Sequence, residues 1–338
     1  MRKNYPYFLL AGIIPLCAVC ACSTGEAAAV TAAASQILGS RSQAPVFLAC
    51  KAVSGTEIEF QFSQPVKVVS VNFSPPLEVE ELDEGEIVRV RVAEGLVPGS
   101  KLTADLLAMD KNGNTINVLV PLRTRNERIP ALLINELRTE YSKPKAEFIE
   151  FKMLEAGNLA AVRVFIAGNN KAPLVYEFSS LEVTAGEYIL LHLRTTQDAN
   201  CDEYGSSKDE SGGSEAVAGV RDLWIPGNAK LLRKTDAVYV LDQDDNVIDA
   251  VMLADSQDSS WNKDYLTAAA EFLHEKGAWK SADEEIPAPK DAVNSSGGTA
   301  TRSISRDETV PDSDTAADWY VTATSGNTPG KPNNPKRL

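Results

Sequence analysis

Glu57-Ile58-Glu59-Phe60-Gln61-Phe62 and Val88-Arg89-Val90-Arg91-Val92 place an apolar side chain at every second position and a polar one between. Successive side chains of a strand point to opposite faces, so each stretch predicts a strand with one face toward a core and one toward water. Working outward, Val46 to Val53, Val66 to Val71, Leu102 to Ala108 and Thr115 to Val120 are further strand candidates. Turns fall at Pro75-Pro76, Gly85, Pro98-Gly99 and Asn112-Gly113 between them. About seven short strands in this span predict a β-sandwich over 45–123.

The chain has 338 residues, of which 43% are hydrophobic and 24% charged, and 47 acids outweigh 33 bases to a net charge of −14. This is the composition of a folded protein, long enough for two domains. Binders of nucleic-acid backbone replace counterions with basic side chains, and this balance runs the other way, so no nucleic acid is expected as a partner. His192 and His274 are the 2 histidines of the chain, too few for most zinc or Ser-His-Asp arrangements.

Arg2 and Lys3 precede an apolar run from Phe8 to Ala21 that ends at Cys22. The run is shorter than the roughly 20 residues of a membrane-spanning helix and predicts an export signal over 1–21. Val19-Cys20-Ala21-Cys22 resembles the lipobox of bacterial lipoproteins, which implies acylation of Cys22 as the mature N-terminus and an anchor in a bacterial membrane, the outer one by preference. A signal cleaved without lipid and an uncleaved anchor are the alternatives. Palmitate-type chains contribute about 0.8 kcal/mol per buried methylene, and two or three of them hold a domain at the surface. Residues 22–44, rich in Ala and Ser, predict a flexible tether. Cys50 and Cys201 then remain, with a bridge between them left open.

Beyond a charged linker from Arg123 to Pro130, short strands resume: Leu132 to Leu137, Glu147 to Phe151, Ala161 to Ile166, Leu174 to Phe178, Tyr188 to Leu193, Ala237 to Leu241 and Val247 to Met252. Phe62-Ser63-Gln64-Pro65-Val66 and the stretch Leu96 to Leu102, followed by Asp110 to Asn114, resemble the Ig-like domains of bacterial surface proteins, which implies a spacer or adhesion module at 45–123. The second region resembles the lamin-tail domain, an Ig-like sandwich. The resemblance is carried in order by Ile134-Asn135-Glu136, Glu147-Phe148-Ile149-Glu150, Val183 to Leu190, Asp236 to Asp249, Thr301 to Arg306, Trp319, and Thr328-Pro329-Gly330-Lys331-Pro332-Asn333. It implies an all-β domain over 131–333. Two insertions interrupt it, at 200–216 and 255–296. The second predicts a short helix over Asn262 to Lys276, with Asn262 as N-cap, Leu266, Ala270 and Leu273 on one face, and Gly277 as the stop.

The Asp242 to Asn246 stretch is rich in oxygen ligands but lacks the glycine and distal glutamate of an EF-hand loop, and it predicts a hairpin turn. Asp202, Glu203, Asp209, Glu210 and Glu215 predict a solvated, disordered loop, with a cation-dependent binding loop as the minority alternative. No nucleophile-and-base pair is recognisable, so the chain is expected to be no enzyme and to need no cofactor or metal. Trp261 and Trp279 flank the predicted helix and are the candidate ligand-binding residues, since tryptophan is enriched at binding hot spots; Trp224 and Trp319 read as core. The expected function is a non-catalytic, lipid-anchored envelope or surface protein that binds a protein or glycan through its insertions. An envelope-organising structural protein and, further off, a metal-dependent phosphoesterase accessory are the alternatives.

Overall fold

The computed structural model describes residues 44–169 and 171–338. The expected export segment, Cys22 and the tether up to residue 43 lie outside the described residues. Two all-β sandwich units follow one another along the chain.

The first unit contains β1 (Phe47–Ala52), β2 (Glu57–Ser74), β3 (Val79–Leu82), β4 (Gly85–Val92), β5 (Lys101–Met109) and β6 (Thr115–Arg123). Their order is β3-β4-β2-β5-β6, with β1 also on β2. Ile58, Phe60, Phe62, Val88, Val90, Val92, Leu102, Ala104 and Leu106 form its core, as the alternation predicts. One expectation is corrected: the stretches before and after Pro65 are a single long strand, not two. β2 pairs with β1 and β4 through its first half and with β5 through its second. The register with β4 shifts between Gln61 and Val66, and a proline is tolerated at such an irregularity because no ladder N–H is needed there.

The second unit is a sandwich of two larger sheets. One runs β14-β13-β8-β7-β18-β19, the other β11-β10-β15-β16-β17, and β9 and β12 form a small pair beside them. Their bounds are β7 (Leu132–Arg138), β8 (Phe148–Met153), β9 (Gly157–Asn158), β10 (Arg163–Ile166), β11 (Leu174–Glu177), β12 (Glu182–Val183), β13 (Tyr188–His192), β14 (Arg221–Trp224), β15 (Asp236–Leu241), β16 (Val247–Ala254), β17 (Val293–Asn294), β18 (Ile304–Arg306) and β19 (Trp319–Val321). Ile134, Ile149, Phe151, Ile189, Leu191, Val238, Val240 and Val251 belong to one core cluster shared by the two sheets. Asp249 and Arg306 clamp the sheets together. The carboxylate accepts from Ile134 N at 2.6 Å and Arg306 Nη2 at 2.7 Å, and Arg306 lies 4.6 Å over the Trp319 ring.

Both insertions have the same architecture. Each leaves the edge of a sheet, packs over its outer face and returns as a short strand parallel to the one it left: β14 beside β13, β17 beside β16. A parallel neighbour requires a crossover of a dozen residues or more, and the insertions supply it. In the second, the helix Asp264–Glu275 buries Leu266, Ala269, Ala270 and Leu273. Its N-cap is Lys263 in extended conformation, without a side-chain capping bond, so the expected cap at Asn262 is one residue early. Gly277 does end it, at φ +67°, donating to His274 O.

The first insertion corrects the expectation of disorder. Its acids organise the loop by accepting backbone N–H groups. Glu203 is fully buried and accepts from Glu210, Ser211 and Asp222 N, each at 2.8 Å. Asp202 accepts from Trp224 N at 2.7 Å, and Glu215 pairs with Arg138. Val217 and Val220 complete a small apolar cluster with Phe148 and Leu190.

Candidate functional site

The outer face of the first sheet carries the polar residues of the lamin-tail resemblance, and they hold the chain's own C-terminal segment. Glu136 accepts from Thr328 N at 3.0 Å and Glu150 from Gly330 N at 2.5 Å. Asn333 donates to Asn135 O and Arg306 O, each at 3.0 Å, and its N–H donates to Glu308 at 2.6 Å. Burial pushes Glu136 above, and Glu150 well above, the ordinary carboxylate range; for Glu150 the nearby Glu136 adds to the rise. These acids are committed to the backbone of the C-terminal segment and to side-chain donors, Ser303 and Ser305 for Glu136 and Asn135 for Glu150.

His192 is likewise internal. Its Nε2 lies 2.7 Å from Asp222 Oδ1 and its ring stacks on Trp224 with centroids 3.7 Å apart. Burial lowers its pKa, opposed by Asp222, so the ring is held neutral. A buried imidazole packed against an indole offers no face to a substrate.

Trp279 corrects the expectation of a binding tryptophan: it is 1% exposed and its indole N–H donates to Asp291 O at 3.1 Å. Trp261 is half-buried against the core, donating to Pro287 O at 2.7 Å. Amphipathic aromatics flanking a short helix serve first to seat it. The Asp242 to Asn246 stretch forms the expected hairpin turn, with Asp242 Oδ1 accepting from Asp244 N at 2.7 Å and Asn246 N at 2.9 Å. Cys50 and Cys201 are both free thiols, and burial pushes Cys50 up to about 12. Among the described residues no group of three or more His, Cys, Asp or Glu is placed to hold a metal ion.

One open site lies where the second insertion leaves its sheet. Between the loop entering β15 and the start of the helix is a cleft of about 400 Å³, lined by Glu140, Lys230, Arg233, Lys234, Thr235, Asp255, Asn262, Lys263, Tyr265 and Leu266. Its wall is set by Asp236, which is fully buried and accepts from Gly168 N at 2.6 Å, Ala237 N at 3.0 Å and Arg233 N at 3.1 Å. Lys230 pairs with Glu140 at 3.0 Å, Arg233 donates to Gly168 O at 2.7 Å and Lys234 to Ser296 O at 3.0 Å. Asn262 and Lys263 follow Trp261 directly, so the indole nominated from the sequence anchors the segment that lines the cleft. The basic residues themselves carry no signal in the sequence. Lys230, Arg233 and Lys234 cluster within five residues, but Lys263 is distant in the chain, so their convergence on one cleft is not apparent.

Two sandwich units in sequence, the second sealed by its own insertions and C-terminal segment, define an all-β protein with an open cationic cleft. The family described as a protein second domain, TP_1001_2nd, matches residues 130–321, and the chain belongs to that family. An uncharacterized protein of Treponema pallidum (strain Nichols) is 30% identical over 182 residues, which are 50% of this chain and 45% of the relative. The chain thus matches under half the length of that relative. Likenesses to solved structures are remote. The N-terminal part of the bacterial S-layer protein SbsC superposes with a TM-score of 0.26 at 12% identity, over 67% of this chain and 47% of that one. L,D-transpeptidase 3 from Mycobacterium tuberculosis gives a TM-score of 0.18 at 9% identity, over 43% of this chain and 81% of that one. At these TM-scores neither likeness bears on the function of the chain.

Proposed function

We propose that this chain is a lipid-anchored cell-envelope protein that binds a protein or glycan without transforming it, with a lamin-tail-like sandwich as its binding unit. The observation that carries the reading is the cleft at the foot of the second insertion, an open concavity lined by four cationic side chains in a chain of net charge −14. The burial of His192 and the commitment of Glu136 and Glu150 to donors within the fold support recognition over catalysis. Arg2, Lys3, the Phe8 to Ala21 run and Cys22 support export and acylation. No described helix is long and apolar enough to cross a membrane.

Because Leu266, Leu273 and Trp279 are core residues, excising the second insertion would unfold the unit, and surface substitutions are the sounder test. Purified full chain is expected to sediment with isolated bacterial envelope fragments. Asn262→Ala with Lys263→Gln should release it, while the same number of changes at Lys101 and Lys111 in the first unit should not. Equal retention of both variants would refute the cleft as the binding surface. Cys22→Ser is expected to abolish labelling by radioactive palmitate.

A further inference from the structure

We infer that the cleft receives an acidic sugar through the carboxylate or sulfate it carries. This rests on the binding reading above and names the ligand class for the same site.

The lining sets Lys230, Arg233, Lys234 and Lys263 against the two carboxylates of Glu140 and Asp255. How each cation is held matters as much as the excess. Arg233 and Lys234 are positioned by the carbonyl oxygens of Gly168 and Ser296, which fix the heads without neutralising them. Asp236 stands 4.0 Å from Arg233 and offsets part of its charge while also accepting three backbone donors. Asp255 is engaged by the Thr235 hydroxyl. Lys263 makes no ion pair among the described residues. Pre-positioned cations attract an anion at little further cost in side-chain entropy, and Arg in particular matches the fork of a carboxylate or sulfate.

The rest of the lining selects a sugar over a peptide. Peptide recognition concentrates its energy in anchors seated in well-packed, fully desolvated pockets. Here the one aliphatic lining residue, Leu266, is 1% exposed and already belongs to the core. What remains is the exposed Asn262 amide and the half-buried Tyr265, groups that pair with ring hydroxyls or pack on a sugar face. At about 400 Å³ the cleft is of small-ligand size, larger than a bare inorganic anion fills.

The test titrates full chain with a heparin-derived hexasaccharide and with hexagalacturonate, which separate sulfate from carboxylate, beside maltohexaose, hexaglutamate and free sulfate. One or both acidic sugars should bind, more weakly as salt rises, while maltohexaose, hexaglutamate and free sulfate bind at least ten-fold more weakly. Lys263→Gln with Lys234→Gln should lose at least ten-fold of that affinity with the melting temperature unchanged, and Lys111→Gln should not alter it. Hexaglutamate binding as tightly as the sugars, full affinity in the double variant, or binding of neither acidic sugar would each overturn the inference. The envelope-sedimentation assay on the same preparations separates the two readings: sedimentation lost on changing Asn262 and Lys263, with no sugar bound, sinks the ligand class and leaves the binding module standing.

Discussion

Asp236 is a carboxyl group taken wholly out of water to hold the loop that walls the cleft. Burial raises its pKa from 3.8 to about 6, against the pull of the Gly168, Ala237 and Arg233 N–H groups. Between those values the folded chain keeps a proton that the unfolded chain has released. Stability from this group is therefore fully present below about pH 4 and is lost as pH rises through 6, a change of about 3 kcal/mol. Asn at this position cannot ionise. Urea unfolding of the native chain and Asp236→Asn across pH 4 to 8 should show the native chain losing about that much relative to the variant; a pH-independent difference would refute the assignment. The same chemistry explains what the sequence concealed. Glu203 reads as a solvated acid because its partners are backbone N–H groups, which every residue but proline owns and which leave no signature in the side chains.

At the scale of elements, periodicity was most readable where one face of a strand meets water. Ile58, Phe60 and Phe62 lie in the core as their alternation predicts. Where both faces are covered alternation is lost, and only apolar runs such as Leu132 to Leu137 still read as strands. Arg221–Trp224, buried at every position, was not foreseen as a strand for that reason. The C-terminal segment is the most consequential of the irregular elements. Gly330 sits at φ +76°, and a Cβ there would come within 2.1 Å of Val220 Cγ2. Gly330→Ala must therefore lift the segment from the sheet or displace the first insertion, at about 1–3 kcal/mol. Faster amide exchange at Thr328 and Asn333 is the expected readout, and unchanged protection would show that the segment is held by other means. The cleft was illegible for a related reason: Lys230, Arg233 and Lys234 are close in the chain, but Lys263 joins them only once the helix segment has packed beside their loop.

For the whole molecule, the stretch read as a plain linker is a built joint. Asn126 is 2% exposed, and its amide donates to Asn158 O at 2.7 Å and Ala160 O at 2.9 Å. Its main chain exchanges bonds with Gln243, and Arg125 grips Asp244, so the acidic hairpin turn doubles as a socket for the linker. This joint favours a spacer of defined reach, in keeping with the envelope-organising alternative. Asn126→Ala leaves two buried carbonyls unpaired at about 1–3 kcal/mol. Small-angle scattering is expected to report a broader range of inter-unit distances, with each unit still folded; an unchanged profile would place the stiffness elsewhere. A last consequence concerns solubility. β14 and β17 lie along the borders of the two sheets, so the crossovers that carry them also act as guards. Stripping either guard would bare a row of unpaired amides and carbonyls on β13 or β16, and neighbouring copies would stitch together there into aggregates.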